Sequence, residues 1–229
     1  TLDGAVNKTA IMLAILISTA AISWNFPSPF IVMLSYIGIF AAAIASVVTF
    51  GFWMPFIGFI INPRPYLAPK TWLVFAFGEG FFIGLISLSS ETMFPGIVLE
   101  AVSLTFCVAA TLLFLYKSGI VKPSQNFVLM VCSAVFGIFL FYIGTLIYSL
   151  VTGVSPEIFS GSSNASIGLS LFIVAMAAFS LVLDFDIIEQ SAEYGSPKYM
   201  EYFGAMALVT TLIWLYIEIL RLLAKFRSR

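Results

Sequence analysis

Seven stretches of this chain are apolar enough and long enough to cross a bilayer, and only short turns separate them. A spanning helix needs about 20 mostly apolar residues to cover roughly 30 Å of hydrocarbon. Such runs lie at about 9–26, 30–61, 70–89, 95–116, 126–151, 164–190 and 198–226. Turn signals punctuate them: Asn25-Phe26-Pro27-Ser28-Pro29, Asn62-Pro63-Arg64-Pro65 and Lys117-Ser118-Gly119. In lipid the backbone must satisfy its own polar groups, so seven runs of this length read as seven helices. The expected fold is an all-α polytopic membrane protein, one domain over residues 1–229 with no soluble appendage. The second run has 32 residues, roughly 48 Å of helix; it reads as one tilted helix bent near Gly51 and Pro55. The first run reads as a span rather than a cleaved leader, since no basic flank and small-residue cleavage pattern accompany it. The missing initiator Met implies at least one further residue before Thr1.

Composition removes several function classes. Only 9% of residues are charged and 61% are hydrophobic, where a soluble domain carries about 25% charged residues. Ten Lys and Arg against 11 Asp and Glu give a net charge of −1, which leaves no basic field for a nucleic acid. No histidine is present, so His-based catalysis, metal ligation and pH sensing are excluded. Cys107 and Cys132 lie in apolar runs and read as packing residues. With no Gly-x-Ser-x-Gly string and no nucleophile–base pair, an intramembrane hydrolase is not indicated. The chain is expected to be no enzyme and to need no cofactor.

Orientation follows the distribution of Lys and Arg. The N-terminus and the second, fourth and sixth loops share Lys8, Arg64, Lys70, Lys117, Lys122 and Lys198, while the other three loops hold none. This places the N-terminus in the cytoplasm. The final cluster of Arg221, Lys225, Arg227 and Arg229 then faces outward, against the rule; a re-entrant last helix, or a topology fixed before the tail emerged, would reconcile it. Helix contacts in lipid favour small residues, and Gly80 with Gly84, Ala41, Ala42 and Ala45, and Ala175 with Ala178 read as contact faces.

Function is expected among the acids inside the spans. An Asp near the bilayer centre costs about 2.5–3.5 kcal/mol on insertion scales, and by default marks an ion or proton path. Glu79, Glu100, Asp184, Asp186 and Glu218 are the candidates; Glu189, at a helix end, reads as solvated. Asp184 and Asp186 point about 200° apart on a helix, so one lines the interior while the other reaches water. Glu218 and Arg221 stand at i, i+3 and suit a local ion pair. Glu79 and Glu100 have no base within a helical turn, which favours an interior site or an interhelical hydrogen bond. Helix rise places Glu79 roughly 14 Å and Asp184 roughly 9 Å from the cytoplasmic face, with Glu100 and Glu218 roughly 8 and 12 Å from the outer one. Two layers are therefore expected, Glu79 with Asp184 and Glu100 with Glu218. Two close carboxylates share a proton, and losing it makes them repel. That arrangement is a pH-dependent latch and, when open, a lining that attracts cations. Oxygen ligands suit Ca²⁺, with a possible site near Asp184 and Glu79.

Several strings carry a family likeness. Val98-Leu99-Glu100-Ala101 with Thr105-Phe106, Phe179-Ser180-Leu181-Val182-Leu183-Asp184-Phe185-Asp186, Pro197-Lys198-Tyr199-Met200-Glu201 and Trp214-Leu215-Tyr216-Ile217-Glu218-Ile219-Leu220-Arg221-Leu222-Leu223 resemble the Bax inhibitor family, including its bacterial YccA-type members. The resemblance implies a prokaryotic branch, a seven-helix bundle with the last helix central, and a pH-sensitive Ca²⁺ leak sensed by an aspartate pair on the sixth and seventh helices. Asp184 matches the first of the pair. For the second, Leu215-Tyr216-Ile217-Glu218 looks like the family's Leu-Tyr-Leu-Asp string, whereas aligning helix ends points to 211–213, where this chain has no acid; Glu79 is then the substitute partner.

The leading expectation is a pH-gated cation leak in a bacterial inner membrane, with the lipid bilayer and Ca²⁺ or another cation as partners. The alternative is a non-conducting regulator or accessory subunit bound to a larger membrane complex or a membrane protease, its acids serving as structural hydrogen-bonding groups.

Overall fold

Seven long helices and one short 3₁₀ turn make up the regular structure among the described residues, with no strand. The computed structural model describes residues 1–50, 64–154, 156, 158 and 161–229. The helices are α1 Leu2–Asn25, α2 Pro29–Phe50, α3 Ala68–Met93, α4 Ile97–Lys117, α5 Gln125–Thr152, α6 Asn164–Glu193 and α7 Tyr199–Arg227, with the 3₁₀ turn at Pro65–Leu67 before α3. All seven are long and apolar enough to span a membrane.

Local chemistry sets their ends. The Thr1 hydroxyl accepts from the Gly4 N–H and caps α1, so this helix starts seven residues before the apolar run; hydropathy marks where a span begins, capping marks where a helix does. Pro29, with its preset φ and no N–H to lose, opens α2. Ser124 accepts from the Phe127 N–H to start α5, and Gly153 ends it at φ 71°, a left-handed conformation that glycine adopts without a Cβ clash. The bend expected at Gly51 and Pro55, and the end of the second run at Ile61, lie outside the described residues. α7 is one uninterrupted helix of 29 residues, which removes the re-entrant alternative for the last segment. It buries the largest share of its membrane-length window, and α6 the next largest.

The chain packs as two compact units, Thr1–Met93 with Asp186–Thr210, and Phe94–Phe185 with Thr211–Arg229. The first is held by close backbone approach. A Cβ on Gly78 of α3 would lie 2.1 Å from the Gly38 carbonyl oxygen and 3.1 Å from the Ala42 Cβ on α2. Gly80 and Gly84 turn to α1, where a Cβ would lie 1.9 Å from Thr19 Oγ1 and 1.9 Å from Ser23 Oγ. Only residues without a side chain allow helices so close, and dispersion contacts with no competing hydrophobic drive reward it. The Ser35 hydroxyl adds an interhelical bond to the Phe81 carbonyl at 3.2 Å. In the second unit, Ile138 of α5 meets Ile173 and Met176 of α6, with Ala175, Phe179 and Trp214 packed around them.

Candidate functional site

Within the second unit, α6 and α7 each turn a stripe of polar side chains inward. On α6 the buried face runs Ser166, Ser170, Ile173, Ala177, Leu181, Asp184. Ser166 and Asp184 stand five turns apart at the same angle, roughly 27 Å along the axis. On α7, Thr211, Trp214, Glu218, Arg221 and Lys225 follow i, i+3, i+7, i+10, i+14 spacing and so share one face.

Asp184 marks one end of this line. It is 8% exposed, and its Oδ2 atom has no hydrogen-bond partner among the described residues. The Thr211 side chain on α7 lies beside the carboxyl group. Two residues on, Asp186 belongs to the first unit, is half-buried, and accepts a 2.6 Å bond from Gln190 Nε2. The two aspartates thus occupy different surroundings, as their 200° separation requires. Glu189 is exposed.

The centre of the line is an ion pair wrapped by a tyrosine. Glu218 is 1% exposed. Arg221 Nη1 donates to both carboxylate oxygens at 2.9 and 3.0 Å. The Tyr142 hydroxyl on α5 donates to Glu218 Oε1 at 2.6 Å and accepts from the same guanidinium at 3.1 Å. The i, i+3 pair is therefore present, and it is reinforced across helices. Between it and Asp184 lies the apolar cluster with Trp214, so a polar layer, an apolar layer and a second polar layer succeed one another.

Glu100 departs from its expected place. It sits exposed in the first turn of α4 and pairs with Arg227 Nη2 at 2.7 Å, while Arg227 also donates to the Pro95 carbonyl at 2.6 Å. A helix start favours a negative charge, and at the end of a span that charge reaches polar surroundings, so no interior site is needed. The expected layer of Glu100 with Glu218 is corrected accordingly: each acid is held by its own arginine of α7. Glu79 belongs to the first unit, half-buried between Gly78 and Gly80, and no hydrogen bond or ion pair reaches it among the described residues. Among the described residues no group of three or more Cys, Asp or Glu gathers to hold a metal ion.

A family model described as Bax inhibitor 1 like matches residues 1–228. The chain belongs to the Bax inhibitor family. Neither a curated protein nor a solved structure matches it. The group facing Asp184 from α7 is Thr211, where the chain carries no acid. Glu218 stands seven residues further along, roughly 10 Å away by helix rise, and its charge is already matched.

Two further polar groups escaped the sequence reading. Tyr142 reaches its acid across helices, with no local pattern to betray it. Glu201, in the first turn of α7, is 9% exposed and takes an ion pair from Lys8 of α1 and a 2.8 Å bond from the Thr1 hydroxyl. Lys8 also lies 4.6 Å from the Tyr202 ring, a cation–π contact. Gly4 makes the approach possible, since a Cβ there would lie 2.4 Å from the Glu201 carboxylate. The one usable hint was Gly4 and Lys8 sharing a helix face at i, i+4.

Proposed function

We propose that this chain is a pH-sensitive cation leak of the Bax inhibitor type, with Ca²⁺ as the favoured cation. In this reading it belongs to a prokaryotic, YccA-type branch and lies in a bacterial inner membrane with its N-terminus in the cytoplasm. The observation that carries the proposal is Asp184: a carboxyl group inside a spanning helix, buried, with its Oδ2 atom unserved among the described residues. A buried polar atom without a partner costs free energy, and intramembrane acids are retained where ions or protons pass. Protonated, the group is neutral and the adjoining apolar layer of Ile173, Met176 and Trp214 stays closed. Deprotonated, it is an anion among apolar side chains, and a cation supplied by the aqueous phase is the partner that relieves it. Oxygen ligands favour a hard cation such as Ca²⁺.

The test is Ca²⁺ flux into proteoliposomes across pH, for the native chain and Asp184→Asn. Loss of a proton accompanies rising pH, so native flux rises with pH; the amide cannot titrate, so the variant's profile is flat. Flux that is absent, or that ignores both pH and the substitution, overturns the proposal. A stoichiometric membrane partner recovered with a non-conducting chain would instead favour the regulator or accessory-subunit role.

A further inference from the structure

Glu79 is an intramembrane acid that the role given to Asp184 leaves unused. It stands 11 residues from the start of α3 and 14 from its end, roughly 16 and 21 Å of helix. Its neighbours fix where it points. Gly78 presses on the α2 backbone at Gly38, and Gly80 on Thr19 of α1. These two positions stand about 200° apart around α3. The helix is gripped from opposite sides, and Glu79 projects from the flank between the grips, half-buried.

Nothing there serves a negative charge. All ten Lys and Arg are among the described residues, and none pairs with Glu79. Hydroxyls beside the grips donate to main-chain carbonyls instead: Thr19 to Ile15 and Leu16, Ser35 to Ile31 and Phe81. Titratable groups on the helices packed against α3 lie elsewhere. On α1, Asp3 and Lys8 belong to the first two turns, and Lys8 is paired with Glu201. α2 carries only Tyr36, which is exposed, and residues 51–63 hold no titratable group. On α3 itself, Lys70 and Glu91 are nine and twelve residues away, roughly 14 and 18 Å. On α7, Tyr199, Glu201 and Tyr202 stand in the first turn, where Tyr202 meets Trp72 of α3, two turns before Glu79. An ionised carboxylate inside a span, with neither cation nor donor, is costly, and the neutral acid costs far less.

We propose that Glu79 is a proton-binding site inside the membrane, seated in the first unit and built from other groups than those around Asp184. A proton needs no cavity, so the close packing of α1 and α2 on α3 does not exclude it, and it removes the charge that no neighbour balances. The site does not rest on the Ca²⁺ leak.

The full chain in lipid vesicles tests this by reaction with dicyclohexylcarbodiimide. The apolar reagent takes a protonated carboxyl, whose O–H adds across one C=N bond, and leaves a carboxylate untouched; mass spectrometry assigns the adduct to a residue. At pH 7 Glu79 carries the adduct at least about tenfold more than Glu100, the exposed glutamate at the start of α4, and its labelling falls as pH is raised further. Asp184→Asn keeps this labelling, so loss of the leak and loss of the Glu79 proton are different results. Infrared spectra give a second reading: the C=O band of a protonated acid, present at pH 7, is lost in Glu79→Gln. That band supports the proposal even where the reagent fails to reach the carboxyl. Labelling of Glu79 no greater than that of Glu100, with the acid band unchanged in Glu79→Gln, overturns it. So does labelling that ignores pH. Should Glu79→Gln fail to fold, the native comparison of Glu79 with Glu100 decides alone.

Discussion

Replacing Arg221 with methionine strips the buried Glu218 of the guanidinium paired with it. Breaking a buried pair by removing one partner costs about 3–5 kcal/mol. The Arg221 side chain is 29% exposed and Tyr142 still donates to the carboxylate, so the lower end, about 3 kcal/mol, is expected here. Glu218→Gln leaves a guanidinium that hydrates at its exposed end, at a cost of about 1–2 kcal/mol. The double variant keeps a neutral amide facing Tyr142 and costs no more than the Gln variant alone. The cycle therefore yields a coupling of at least about 3 kcal/mol, well above the ~0.6 kcal/mol typical of interhelical hydrogen bonds in lipid. Unfolding by denaturant in mixed micelles, followed by tryptophan fluorescence with Trp214 one turn away, measures it. Additive single effects, or an Arg221→Met cost below about 1 kcal/mol, would refute the claim that Glu218 is a matched structural ion. Flux adds a second reading: Glu218→Gln keeps the pH profile that Asp184→Asn removes.

Two glycine exchanges separate close contact from open surface. Gly78→Ala drives a methyl into the Gly38 backbone and costs about 1–3 kcal/mol, whereas Gly137→Ala on α5, with nothing within 4 Å of a new Cβ, gains about 0.5–1 kcal/mol from the restricted unfolded chain; thermal unfolding of the pair shows opposite signs. At the edge, Glu100→Gln costs at most about 1 kcal/mol, and the difference from the native chain fades as salt is raised, because the pair with Arg227 is half exposed.

Hydropathy alone made the seven spans legible, since length and apolarity are what a bilayer demands of each helix. The starts were less so where polar residues extend a capped helix, as at Thr1 to Lys8. The spacing of Asp184 and Asp186 foretold that they part company, and i, i+3 spacing foretold Glu218 with Arg221. Contacts between distant segments left no such trace. Thr211 beside Asp184, Tyr142 on Glu218, Lys8 on Glu201 and Lys225 on Ser170 depend on helix rotation, which a chain this uniformly apolar barely encodes: when lipid and interior are equally oily, the pattern that normally distinguishes inside from outside is faint.

The facing glycines of α2 and α3 also limit how this sequence can change. A methyl gained at residue 78 meets main-chain atoms of residue 38, which no rotamer adjustment can move aside. Drift at these two sites must then begin with a shift of one whole helix, and descendants that enlarge residue 78 should carry compensating changes along the length of α2 rather than at a single neighbour.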